Sequence, residues 1–395
     1  MLHTTVTQLI GQTPVMSIDV PGRNATLVLK IEKNNPGGSM KDRMARSMVI
    51  AALEDGRLAP GGTIVESSSG NTGTGLALAA LEFGLRFIAV VDHHAAPDKI
   101  RMMRALGAEI RYVEGDFRED EVAVVERQRL AAQLGAQLPG ALFMNQSDNP
   151  ANPAGYTGLV DELVAQLPDG IDAFVGCVGT GGSMTGISQR VKRNNPAVRT
   201  IAVEPAGSIV FGKPGHPYYQ SGTGTPAGDE VGKVLDYGCI DEGVQVTDTQ
   251  AFETARYIAR RKGLLVGGST GGAIYKALEF IGAGKLTGTV VTTVADGGEK
   301  YLGTIFDEEL GWRSAACSTR QSLPSWMAGY SERRGQHEGD HLRRWPHRTF
   351  ERGAVQAEPG HRCFGPDHVR HRGRAMGERG RSLASGDARR SHPEC

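Results

Sequence analysis

The chain has 395 residues, 39% hydrophobic and 22% charged, with 44 basic and 44 acidic side chains, and is long enough for two core-forming lobes of a globular enzyme. No run approaches the roughly 20 apolar residues that a membrane-spanning helix needs, and the opening "MLHTTVTQLIGQTP" lacks a basic segment leading into an apolar one, so no secretory leader is expected. Five scattered cysteines (Cys177, Cys239, Cys317, Cys363, Cys395), without metal-ligand or CxxC spacing, read as thiols of a reducing, cytoplasmic compartment, and no metal site is expected.

The neutral total divides unevenly. Residues 311–395 hold 16 Arg, no Lys, 9 acidic residues and 7 of the 11 His, which leaves 28 basic and 35 acidic residues in 1–310. Apolar residues are sparse and without period in that stretch, so 309–395 is expected to be a disordered Arg/His/Gly-rich tail. Arg-rich tails can bind nucleic acid, but no base-reading motif accompanies this one, and no nucleic-acid partner is expected.

Through 1–310, short β-branched runs alternate with longer amphipathic stretches. "TLVLKIE" (26–32) predicts a strand, "KDRMARSMVIAALEDG" (41–56) a helix stopped at a glycine, "TIVESSSG" (63–70) a strand running into a loop, and "NTGTGLALAALEFG" (71–84) a helix. Then come a strand at "RFIAVVD" (86–92), a helix at "APDKIRMMRALGAEI" (96–110) and a strand at "ALFMNQ" (141–146). Helices at "GLVDELVAQL" (158–167) and "SMTGISQRVKR" (183–193) flank a strand at "DAFVGCVG" (172–179). Further strands are "TIAVEP" (200–205) and "GTVVTTVADGG" (288–298). This alternation predicts βαβ units and mostly parallel sheets. Ligands on such sheets bind beyond the carboxyl ends of the strands.

Three glycine-rich loops fall at such ends: "SSSGNTG" (67–73), "GTGGSMTG" (179–186) and "GGSTGGA" (267–273). Each lets backbone N–H groups approach a ligand and opens a helix, whose N-terminus favours anions. A dinucleotide loop would need a third glycine where Met184 and Leu78 stand. "GTGGS", with the hydroxyls of Thr180 and Ser183, suits a single phosphate ester instead. Upstream, "NPGGSMKDR" (35–43) sets Lys41 behind a proline and two glycines at the mouth of a helix. A lysine amine together with one phosphate cup suggests pyridoxal phosphate, an aldehyde cofactor that forms a Schiff base with lysine.

In order and spacing, "NPGGSMKDR", "SSSGNTG", "GTGGSMTG" and "GGSTGG" resemble the cysteine synthase and cystathionine β-synthase family of fold type II pyridoxal-phosphate enzymes, over about residues 7–308. The resemblance implies a two-lobed α/β fold, each lobe a mostly parallel twisted sheet flanked by helices. A large cofactor-binding lobe would comprise 1–43 and 151–308, and a small mobile lobe 44–150 would close over the substrate carboxylate. It implies that Lys41 forms the Schiff base and moves the substrate's α-proton. Asn71 would bond the cofactor's 3′ oxygen, Gly179, Thr180, Gly181, Gly182 and Ser183 would cup its phosphate, and Ser269 would face its pyridine nitrogen. Ser68, Ser69, Asn71 and Thr72, helped by Gln146, would bind the α-carboxylate of a small amino-acid substrate. A homodimer is implied as well. A serine at the pyridine nitrogen cannot hold it protonated as a carboxylate would. That weaker electron sink points to β-elimination and β-replacement on an activated serine, through an aminoacrylate, rather than transamination.

The substrate pair stays open. The segment "KPGHPYYQSGTGTPAGDEVGKVLD" (213–236) keeps Ser221, Gly222 and Gly224 where cysteine synthases carry a Gly-Ile-Gly core, and His216, Tyr218 and Tyr219 either line the pocket or pack the loop down. Tyr156 stands where a threonine pair is usual. Met40 and "GSIVFG" (207–212) resemble the siderophore-pathway synthases, which add an amino-acid amine to a phosphoserine-derived aminoacrylate on the way to 2,3-diaminopropionate. Three reactions therefore remain: cysteine synthesis from O-acetyl- or O-phosphoserine, that amine addition, and cysteine desulfhydration. A binding partner on the same fold is the non-enzymatic alternative. Cys177 is expected in the core, His93 and His94 at the surface or in a substrate loop, and Asp296 of "ADGGEKY" (295–301) beside the cofactor.

Overall fold

In a computed structural model, residues 2–93, 95–115 and 123–307 are described; His94 and the expected tail lie outside them. The strands are β1 (Val15–Asp19), β2 (Ala25–Lys30), β3 (Thr63–Ser67), β4 (Arg86–Val91), β5 (Glu109–Tyr112), β6 (Ala141–Phe143), β7 (Ala173–Cys177), β8 (Arg199–Pro205), β9 (Glu242–Val246) and β10 (Gly288–Thr293). The helices are α1 (Lys41–Glu54), α2 (Asn71–Glu82), α3 (Pro97–Ala105), α4 (Val124–Gln137), α5 (Ala151–Ala154), α6 (Thr157–Gln166), α7 (Gly182–Asn194), α8 (Asp248–Lys262) and α9 (Gly268–Gly282).

Two sheets organise these elements. One runs β5-β4-β3-β6 and is parallel throughout. The other runs β1-β2-β10-β7-β8-β9 and is parallel except for the antiparallel β1–β2 pair at its edge. Strands covered on both faces must be apolar on both. Accordingly, Leu27 and Leu29 of β2 join one core and Val28 between them joins another. Phe174 and Val175 of β7 divide in the same way. The glycine-rich loops follow β3 and β7 and precede α9, so they gather at one end of the sheets.

The structure differs from the predicted elements in places. The helix predicted over 96–110 stops at Ala105; Gly107, at φ +84°, reverses the chain, and Glu109–Tyr112 pair with β4 as β5. The elements β1, α4, β9 and α8 add to the predicted set. Helix α8 starts on a capping box, in which Gln250 N donates to Thr247 Oγ1 at 3.2 Å and Thr247 N donates to Gln250 Oε1 at 3.0 Å.

A buried ion network anchors the start of α1. Arg43 donates to Glu32 from Nε at 2.6 Å and Nη2 at 2.8 Å, and to Glu162 from Nη1 at 2.8 Å. Lys30 Nζ donates to Glu162 Oε2 at 2.6 Å. Burial pushes the Glu162 carboxyl up, yet Arg43 and Lys30 hold it at about 2. The network joins β2, α1 and α6 through charges that few waters can reach.

Candidate active site

Lys41 is aimed by the backbone on both sides of it. The turn before it closes with Gly38 N donating to Asn35 O at 2.8 Å, with Gly38 at φ +72°. Asp42 Oδ2 accepts from Gly37 N at 2.5 Å. The following residues are laid against the segment after β10: Ser39 bridges to Asp296, and Met40 N donates to Ala295 O at 2.8 Å. Lys41 then opens α1 with its side chain in a cleft.

Lys41, Asn71, Gly179, Ser183 and Ser269 line that cleft, together with Asp296 and Ser221. Thr180, Gly181 and Gly182, expected in the same phosphate loop, are not among its lining residues. Gly181, at φ +99°, is the residue on which α7 starts, and Thr180 Oγ1 accepts from Asn152 Nδ2 at 3.5 Å. The residues expected at the substrate carboxylate form an adjoining patch around the start of α2. Ser68 Oγ accepts from Gly70 N at 3.3 Å and Gly73 N at 3.0 Å, so it serves as a cap for that helix. Thr72 Oγ1 donates to Gln146 Oε1 at 2.8 Å. Ser69 Oγ accepts from Arg127 Nη1 at 3.5 Å.

Three helices point their N-termini at the cleft, and none has a side-chain cap from its N-cap residue, which is glycine each time: Gly70 for α2, Gly181 for α7 and Gly267 for α9. The first amides of a helix have no acceptor within it, and they carry its positive end. Here the first helical residues include Asn71, Ser183 and Ser269, all cleft-lining. A phosphorylated, electron-poor ring with a phenolic oxygen fits such a set of donors.

Burial pushes the Lys41 amine down to about 8, against the opposing charge of Asp296. Asp296 Oδ2 accepts from Asn71 Nδ2 at 2.8 Å and from the Tyr301 hydroxyl at 2.7 Å, while its Oδ1 is buried without a partner. Lys300 Nζ donates to Asn71 Oδ1 at 2.8 Å and Gly37 O at 3.1 Å. Accepting from Lys300 at Oδ1 and donating to Asp296 from Nδ2, the Asn71 amide is held with its NH2 group turned toward Asp296. Sequence reasoning missed Lys300, although it lies only four residues beyond Asp296.

Other expectations resolve as follows. Cys177 packs against one of the cores, as expected, and also forms part of the cleft wall; its thiol donates to Ser269 O at 2.9 Å, and burial pushes it up to about 12, which removes it as a nucleophile. Of the three aromatic residues of the 213–236 loop, Tyr218 packs over Gly224, whereas His216 and Tyr219 are exposed, and none of them lines the cleft. Tyr156 is fully buried, and burial raises its phenol above the ordinary range. His93 is exposed. Among the described residues no cluster of His, Cys, Asp or Glu suits a metal ion, and no helix is long and apolar enough to cross a membrane.

Residues 6–297 match a family model described as "Pyridoxal-phosphate dependent enzyme". The chain belongs to this family, in its cysteine synthase and cystathionine β-synthase branch. Its cofactor is pyridoxal 5′-phosphate. The enzyme is 99% identical over 309 residues to a Sinorhizobium fredii protein named "Putative cysteine synthase", covering 78% of this chain and 92% of that one. It is 35% identical to the N-(2-amino-2-carboxyethyl)-L-glutamate synthase of Ralstonia nicotianae, over 80% of this chain and 93% of that one. Among solved structures, the O-acetylserine dependent cystathionine β-synthase of Helicobacter pylori superposes with a TM-score of 0.69 at 33% identity, over 77% of this chain and 98% of that one.

Proposed function

We propose that the enzyme replaces the β-substituent of an activated serine, O-acetylserine or O-phosphoserine, as a cysteine synthase does. One observation carries this reading: the cleft places a serine hydroxyl, Ser269, in the first turn of α9. The positive end of that helix opposes protonation of a neighbouring ring nitrogen. The carboxylate among the lining residues, Asp296, holds Asn71 and Tyr301 through its Oδ2 and bridges by its backbone to Ser39, on the Lys41 side of the cleft. Bound pyridoxal phosphate supplies electron withdrawal from the substrate's α-carbon, and a weakly protonated ring favours departure of a β-substituent. Lys41, Asn71, Ser269 and the loop from Gly179 to Ser183 would hold the cofactor.

The chain's own groups then divide the work. The Lys41 amine, at about 8, is part neutral at physiological pH, so its Nζ takes and returns the α-proton. Ser69, Thr72 and Gln146 bind the substrate carboxylate beside Asn71. Closure of residues 44–150 over it would exclude water from the reacting β-carbon.

A stopped-flow panel tests the reading. Holoenzyme is mixed with O-acetylserine, O-phosphoserine, cysteine or serine and then chased with sulfide, homocysteine or glutamate. An activated serine should change the cofactor spectrum, and one of the chasers should restore it. Lys41→Ala should abolish both phases. Accumulation of a transaminated cofactor, or equal turnover by Lys41→Ala, overturns the reading.

Arg127 favours a second reading, with phosphoserine as donor and an amino-acid amine as nucleophile, the chemistry in the name of the Ralstonia relative. Its guanidinium is mostly buried, 3.4 Å from Asp92 Oδ2 and 3.5 Å from Ser69 Oγ. A cation there could hold a second anionic group beside the substrate carboxylate. Under this reading Arg127→Gln raises KM for phosphoserine or glutamate and leaves that for acetylserine unchanged.

A further inference from the structure

A second cavity, of about 640 Å3, lies on the other side of Asn71, between α3 and the turn at 297–303. Lys99 and Lys300 both line it. Lys300 Nζ spends two of its protons on Asn71 and Gly37. Among the described residues Lys99 Nζ donates to Ser221 Oγ alone, at 3.4 Å, and stands 5.1 Å from the centre of the Tyr301 ring. Burial pushes both amines below the ordinary lysine range, and the charge of Lys300 lowers Lys99 further; the charge of Asp296 opposes both shifts.

The acidic residues at the rim are turned to other cations. Asp98 pairs with Arg101 at 2.5 Å and Glu299 with Lys33 at 2.9 Å. Asp296 is shared with Asn71 and Tyr301. The opposite walls are apolar: Leu78 and Leu106 line the cavity, and Met102 and Leu302 stand 41% and 55% exposed at it. A cavity of this size with apolar walls and two convergent polar groups has the character of a small-molecule site.

We propose that this cavity binds a small carboxylate or sulfonate with a short apolar stem, its anionic head between Lys99 and Lys300 and its stem against Met102 and Leu302. The site adjoins the Lys41 cleft, with Asn71 lining both and Lys99 bonded to the cleft residue Ser221, and is independent of which donor that cleft accepts. Because Lys300 also holds the Asn71 amide, an anion drawing on Lys300 perturbs a residue that lines the cofactor cleft. By linkage, cofactor state and effector affinity then depend on each other.

Calorimetric titration of the holoenzyme with hexanoate, acetate and hexanol separates head from stem. Hexanoate should bind at least about tenfold tighter than either control, since each supplies only one half of the contact. Its binding should shift the cofactor absorbance. Met102→Glu, at an exposed position, should weaken hexanoate binding by about tenfold or more through apolar loss and charge repulsion, with cofactor content and Tm unchanged. Lys99→Met should weaken it by a different route, removing the cation and keeping the stem's wall. Equal affinity for hexanoate and acetate overturns the proposal. So does unchanged binding by both variants, which would place the anion on the substrate-carboxylate loop instead.

Discussion

Asn71 Nδ2 donates to Asp296 Oδ2 across 2.8 Å, tying the start of α2 to the segment that follows β10. The same carboxylate is the charge that opposes burial at Lys41. Asp296→Asn keeps the shape and removes that charge. In cofactor-free protein the Lys41 amine should therefore fall below its present value of about 8, by about one pH unit. Capture of pyridoxal phosphate needs the neutral amine, so the rate of capture rises with pH through that midpoint. A midpoint that stays in place or moves up contradicts the assignment.

Gly181 begins α7 at φ +99°, and a Cβ there would press on the backbone of Leu235. Gly181→Ala should destabilise the protein by about 2 kcal/mol or more, from the left-handed backbone together with the overlap. It should also weaken cofactor retention, because the amides of Gly182 and Ser183 are re-aimed. Equilibrium dialysis against pyridoxal phosphate and a denaturation curve check the two effects separately.

Arg43→Met would leave Glu32 and Glu162 buried beside each other with only Lys30 and hydroxyl or amide donors between them. A loss of about 3–5 kcal/mol is expected. Replacing Lys30, Glu32, Arg43 and Glu162 together by apolar residues of similar volume, so that no buried charge is left unpaired, should recover much of it. A single variant that is as stable as the parent would show the network to be decorative.

Glu66 is buried in β3, accepts from Ser67 N at 2.9 Å and Gln146 N at 3.1 Å, and burial pushes it from 4.5 up to about 8. Between those two values the folded state holds a proton that the unfolded state has lost. Stability therefore falls as pH rises through this window and is unaffected below it. Glu66→Gln removes that slope. The Tm of the variant relative to the parent should rise by a few degrees between pH 5 and pH 8, and a difference that stays constant across this range would contradict the buried carboxyl.

Much of the fold was legible because its central strands are continuous apolar runs. β3, β4, β7, β8 and β10 stand out in this way, and glycines mark the loops after β3 and β7. The edges were not. β1 reads "VMSID" and β9 reads "EGVQV", half-exposed strands whose polar residues break the pattern. β5 was absorbed into a helix because "ALGAEI" continues an apolar rhythm across Gly107. In the site, Lys41, Asn71 and Ser269 could be found because each sits in or beside a glycine-rich stretch. Lys99 and Lys300 could not. They come from two separate segments, each bland by itself, and only the folded chain sets them, with Ser221, around Tyr301 and Asp296.

The glycine starts of α2, α7 and α9 leave three sets of leading amides to be completed by whatever enters the cleft. The cofactor and the substrate carboxylate would thus double as structural end-pieces, supplying acceptors for first-turn amides that have none within their own helix. Hydrogen exchange at 71–72, 182–184 and 268–270 should slow together on loading, so that one small molecule sets the breathing of three distant stretches of chain at once.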